Sequence, residues 1–144
     1  MNRCLSVTLV GFTTVLCACP GEGTGPGGNA AYCDTVTAVS FTCDVQPIFS
    51  ANCALSGCHV SPNPPEGMNL SAGQAYADIV NVPSGEIPRL FRVEPGNPDS
   101  SYLVMKIENA PGIVLLQMPA GGAPLSPSQI DTIRAWVAAG APDN

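Results

Sequence analysis

Glycine and proline together supply 30 of the 144 residues, 15 of each, whereas aromatic residues supply only 6%. Proline lacks a backbone N–H, and glycine loses the most chain entropy on ordering, so long helices and strands are closed to such a sequence. Glycine plus proline, about a fifth of the chain, stays below the level that marks disordered low-complexity sequence. The length suits one domain. Such a domain would have a thin core, and something other than side chains is needed to fill its middle. Only 11% of residues are charged, with 11 acids against five bases and a formal net charge of −6. That balance excludes nucleic acid as a partner, because phosphate recognition needs clustered lysine and arginine.

Arg3 is the only charged residue before Glu22. Leu5 to Leu16 is an apolar run of secretory-signal length, too short to cross a bilayer comfortably. It ends in Leu16-Cys17-Ala18-Cys19, which resembles the lipobox of bacterial lipoproteins. That resemblance implies cleavage before Cys19 and lipidation of Cys19. The plainer alternative is an ordinary secretory peptide with an incidental cysteine. Residues 1–18 then form the signal, 19–31 a lipidated start and Gly-rich flexible tether, and 32–144 the folded domain. Cleavage removes one base and no acid, leaving four bases, 11 acids and a net charge of −7. The expected location is the periplasmic side of a bacterial membrane, or its outer surface, on a lipid anchor. No internal repeat is visible.

Within the domain the pattern predicts four short helices. Asp44 is placed to cap the first, through Cys53, with Pro47 in its first turn. Ser71 and Gln74 have capping-box spacing for a second, through Ala75, Tyr76, Ile79 and Val80. Asn97-Pro98 opens a third that includes Tyr102 to Ile107. Ser126-Pro127-Ser128-Gln129 opens the fourth, with Ile130, Ile133 and Val137 on one face, Trp136 beside it and Gly140 as the stop. Strand signals are weak. Between the helices lie loops rich in glycine and proline at 60–70, 81–96 and 109–125, and loops of that length usually wrap something.

The chain's single histidine follows a cysteine pair directly: Cys53-Ala54-Leu55-Ser56-Gly57-Cys58-His59. Two cysteines abutting a histidine form the attachment pattern for haem c, usually with two residues between the thiols. The thiols join the two vinyl groups, and the histidine gives its imidazole to iron. Here the spacer has four residues; the extra pair can bulge outward, with Gly57 taking backbone angles closed to other residues. One alternative is a local Cys53–Cys58 disulfide, with His59 a bystander. A zinc site is the other, but two cysteines and one histidine fall one short of a closed site.

These residues fall into a wider pattern. Phe41, Asp44 to Phe49, Cys53 to His59, Arg92 to Leu103, Gln117-Met118-Pro119 and the Leu125 to Gly140 segment together resemble a small bacterial monohaem cytochrome c of class I type. The resemblance covers nearly all of 39–141. It implies an all-α, cytochrome c-like fold of about four short helices with long loops around one covalent haem c. It implies that the first and last helices cross, so that Phe49 and Trp136 meet near the contact. It also implies Met118 as the second axial ligand opposite His59, with Pro119 stiffening its loop. Met68 is the alternative ligand, and plain packing is the alternative role for Met118. Arg92, Tyr102 or Lys106 would reach the haem propionates, although Arg92 is equally read as a surface charge.

Cys33 and Cys43 remain once lipid and haem have taken their cysteines. They can form a disulfide at the start of the domain; two free thiols or pairing between chains are the alternatives. The expected function is electron transfer, with no catalytic residue. Redox partner proteins would be basic and transiently bound, and the membrane would be reached only through the lipid. Two other classes stay open: a haem enzyme such as a peroxidase, or a gas sensor, with an open sixth iron position, and a haem-free, disulfide-stapled binding lipoprotein.

Overall fold

The computed structural model describes Cys33 and residues 38–144. The expected signal 1–18, the lipidation site Cys19 and the tether 19–31 lie outside the described residues. Among the described residues four α-helices carry the regular structure: α1 Gln46–Asn52, α2 Ala75–Ile79, α3 Tyr102–Glu108 and α4 Pro127–Ala138. A π-helical turn, Phe41–Val45, leads into α1, and single 3₁₀ turns occur at Pro65–Gly67 and Pro98–Ser100. No strand occurs among the described residues; two isolated bridges occur, Val80 to Val93, which ties the end of α2 to the 81–96 loop, and Pro83 to Phe91 within that loop. The class is therefore all-α, with long loops between short helices, as the sequence pattern predicts.

The helix starts show where local chemistry competes. Ser40, not Asp44, caps the first helical segment: its Oγ accepts from the Cys43 N–H at 3.2 Å. Asp44 sits one turn further in, and its carboxylate accepts from the Ser40 N–H at 2.7 Å. The capping box at Ser71 does not form. Ser71 Oγ donates to Asn69 Oδ1 at 2.6 Å and the Gln74 amide turns to the Gly73 carbonyl, so α2 starts only at Ala75. Asn69 wins because a short polar side chain two residues away is the nearer partner. Asn97-Pro98 opens a 3₁₀ turn, and α3 begins four residues later, after Ser101. At α4 the predicted box is complete: Ser126 Oγ accepts from Gln129 N–H, and Gln129 Oε1 accepts from Ser126 N–H.

The core gathers where the π-turn meets α4. Trp136 is wholly buried, with its indole N–H donating to the Pro142 carbonyl at 3.0 Å. Phe41 lies 5.1 Å from Trp136, 5.3 Å from Tyr76 and 6.3 Å from Phe49, ring centre to ring centre. Phe41 thus touches both rings that the resemblance pairs directly, and Phe49 and Trp136 are both buried in this cluster. Residues 141–144 close over the same turn. The Asn144 carbonyl accepts from Thr42 N–H and Ser40 Oγ, and Asn144 Oδ1 accepts from Phe41 N–H. Cys33 and Cys43 are joined as a disulfide, tying Cys33 to the same turn.

Candidate functional site

All three long loops border one cleft. It has two adjoining hollows of about 200 and about 190 Å³ that share Cys53, His59, Pro65 and Met118. The 60–70 loop contributes Pro65, Met68 and Leu70; the 81–96 loop contributes Ser84 to Glu86 and Arg92; the 109–125 loop contributes Leu115, Met118 and Leu125. From the helices come Phe49, Leu103 and Ile107, which also belong to the core, so core and cleft share a wall. The lining is overwhelmingly apolar, the usual character of a cofactor pocket.

The end of α1 delivers the cysteine pair. Cys53 is the C-cap of α1, with its N–H on the Phe49 carbonyl. The chain then loops out through Ala54 to Gly57 and returns, so that His59 N–H donates to the Cys53 carbonyl at 3.1 Å. Cys58 N–H donates to the Leu55 carbonyl across the loop. Gly57 takes φ +79° and has nothing within 4 Å of where a Cβ would stand. The extra spacer residues therefore bulge into solvent, and the ends of the motif stay together. Cys53 and Cys58 are free thiols, not a disulfide. Burial, and then the neighbouring Cys58, push the Cys53 thiol up to about 11.

His59 is 8% exposed and lines both hollows. Its Nδ1 lies 3.2 Å from the Met68 carbonyl. A carbonyl only accepts, so Nδ1 carries the proton and Nε2 keeps its lone pair. This is the arrangement that orients a ligating imidazole. Burial holds the ring below its ordinary pKa, and the charges of Arg92 and Lys106 push the same way, against the Met68 bond. These causes favour the neutral ring, the form that binds a metal.

Met118 lines both hollows, as His59 does, whereas Met68 lines one. Met118 N–H donates to the Lys106 carbonyl at 3.0 Å, and the Gln117 amide donates to the Ile107 carbonyl at 2.8 Å. Before them, Leu115 stands at the rim of the cleft, 82% exposed, at φ +58°. That angle costs a bulky residue about 1–3 kcal/mol and persists only where neighbours enforce it.

The three cationic or phenolic residues expected at the propionates all lie at this cleft, and all have protein partners. Arg92 donates to the Asp78 carbonyl at 2.7 Å and to the Glu66 carbonyl, pinning two neighbouring segments. Tyr102 Oη donates to Glu86 Oε2 at 2.5 Å, and Lys106 Nζ lies 3.1 Å from the same oxygen. A Cβ on Gly85 would collide with the Glu66 carboxylate, so a second carboxylate rests on bare backbone there. Sequence reasoning missed Glu66 and Glu86. One signal was present: Lys106 lies among the apolar residues Leu103, Met105 and Ile107, and an ammonium buried with them needs an anion opposite.

No protein-family model matches the chain, and no curated protein or solved structure matches it. Among the described residues no three His, Cys, Asp or Glu side chains converge as a metal-ion set, and no helix is long and apolar enough to cross a membrane.

Proposed function

We propose that this chain is an exported, lipid-anchored electron carrier built on one covalent haem c. Cys53 and Cys58 would hold the haem through thioethers, and His59 and Met118 would be the axial ligands of its iron. The observation that carries this reading is the meeting of both motif cysteines, a buried imidazole and a thioether at one apolar cleft bordered by every long loop. The donor set fits the group: the thiols are unpaired, and the His59 ring is already oriented by Met68 with one nitrogen left to give. When bound, the haem supplies an iron that gains and loses one electron. The chain's part is to fix His59 through the Met68 carbonyl, to present Met118, and to keep water from the cleft with apolar walls, which favours the ferrous form.

A thioether at the sixth position leaves no open site for peroxide or gas, which is why electron transfer is preferred to a haem enzyme. The acidic excess points to a basic partner. Three of the four bases beyond the signal, Arg92, Lys106 and Arg134, are bonded within the domain. Outward charge is therefore mostly negative, suited to brief, salt-sensitive encounters. The test is to produce the mature chain alongside a haem c attachment system and record its mass and visible spectrum. A mass increase of one haem with a six-coordinate reduced spectrum is expected. A chain of unmodified mass would end this reading and leave the haem-free binding lipoprotein.

A further inference from the structure

We infer that Glu86, Tyr102 and Lys106 form a clamp that positions Met118, with Glu86 as the group on which the other two depend. This role rests on the haem reading above, but the contacts that define the clamp involve only the protein. Val114 is held by both of its backbone groups. Its N–H donates to Tyr102 Oη at 2.9 Å, and its carbonyl accepts from Lys106 Nζ at 2.8 Å. Tyr102 Oη and Lys106 Nζ both turn on the Glu86 carboxylate, at 2.5 and 3.1 Å. Four residues later the Met118 N–H is fixed to the Lys106 carbonyl. The 114–118 segment is thus tied at both ends to α3, and Leu115, exposed at the rim of the cleft, stands between the two ties.

The dependence on Glu86 follows from charge. Lys106 is 6% exposed, and an ammonium so placed needs a counter-charge or must swing out to water. Without the carboxylate it leaves the Val114 carbonyl, and the Tyr102 hydroxyl keeps at most a neutral acceptor, weaker than the charged one that orients it. One tie of the segment is then gone, and the unfavourable angle at Leu115 is free to relax. The helix that carries Lys106 need not unfold for this to happen. Glu86 is therefore a positioning residue, acting on Met118 through Tyr102, Lys106 and Val114.

The experiment compares the mature wild type with Glu86→Gln and Tyr102→Phe, each as haem-loaded and haem-free chain. Two signals are read: the absorption band of thioether–iron ligation in the ferric protein, and amide hydrogen exchange at Val114 and Met118. Both variants are expected to keep the haem mass and the far-ultraviolet helicity. Both are expected to weaken the ligation band and to speed exchange at Val114 and Met118 by about tenfold, the scale of one lost charge-assisted hydrogen bond. Glu108→Gln, which removes a carboxylate of α3 that pairs with Arg134 outside the clamp, should leave both signals at the wild-type level. Native band and native exchange in both clamp variants would overturn the clamp. A wild type that takes no haem would overturn the haem reading alone, and exchange in the haem-free chains would still decide the clamp.

Discussion

The Lys106 ammonium lies 3.1 Å from the Glu86 carboxylate, with only 8% and 12% of the two side chains exposed. Glu86 belongs to the 81–96 loop and Lys106 to α3, so this pair joins two walls of the cleft. A buried pair adds little net stability compared with apolar residues, but removing one partner strands the other.

That asymmetry gives the first prediction. Lys106→Met should destabilise the domain by about 3–5 kcal/mol, because an unpaired carboxylate stays behind. The double variant Lys106→Met/Glu86→Gln should recover a large part of the loss. Urea unfolding of all four chains yields the coupling energy. Additive losses would mean that the pair is not energetically linked.

Tyr102 makes the same cluster sensitive to alkali. Burial, then the hydrogen bond to Glu86 and the charges of Glu86 and Glu66, hold its phenol above the ordinary value, against the Val114 N–H. A phenol raised on folding stabilises the fold fully below its unfolded value, near pH 10, and that share is lost as pH climbs through the folded value. Unfolding free energy should therefore fall in the window above about pH 10, and fall less steeply in Tyr102→Phe. Tyr76, also raised by burial and then by Asp143, adds a decline of the same sign, so the variant retains part of it. Equal slopes in the two proteins would remove Tyr102 from the account.

Much of this architecture was legible from local pattern. The α4 box at Ser126 and Gln129 formed as expected because both partners lie within one turn and nothing else competes for them. The box at Ser71 failed because Asn69, outside the motif, captured the serine hydroxyl. The cysteine and histidine residues of the site were readable because their chemistry is tied to short spacing. Glu86 and the Val114 contacts were not, since they depend on which loop crosses α3 and at what height. Only the folded chain brings residues 86, 102, 106 and 114 together.

Ser40 should prove a stronger cap than Asp44. Ser40 is fully buried; its Oγ accepts from Cys43 N–H and donates to the Asn144 carbonyl, so it joins the first turn to residues 141–144. Ser40→Ala should cost about 1–2 kcal/mol, the upper part of the range for losing a cap. Asp44→Asn keeps an oxygen for the Ser40 N–H and should cost less. Thermal unfolding would rank them, and a larger loss at Asp44 would contradict the assignment.

Gly57 isolates a backbone effect. Its φ of +79° disfavours any side chain, but no atom lies near enough to clash with a Cβ. Gly57→Ala should therefore destabilise by about 1–2 kcal/mol through conformation alone. Gly57→Asn should cost less, because asparagine tolerates this region best. Equal costs for the two would point to a steric contact instead.

Met118 and Met68 can be told apart by what each gives the site. Met68 offers its backbone carbonyl to His59 Nδ1, and truncating its side chain leaves that carbonyl in place. Met118 lines both hollows together with His59, on a segment tied to Lys106 and Ile107. In the haem-loaded chain, Met118→Ala should keep the covalent haem and lose the thioether–iron band. Its reduction potential should drop by on the order of a few tenths of a volt, within the roughly 0.8 V that axial ligation spans. Met68→Ala should keep the band, with at most a small shift in potential. The reverse pattern, with the band lost in Met68→Ala and kept in Met118→Ala, would move the sixth ligand into the 60–70 loop. In that case the clamp on the 114–118 segment would hold a cleft wall and not a ligand.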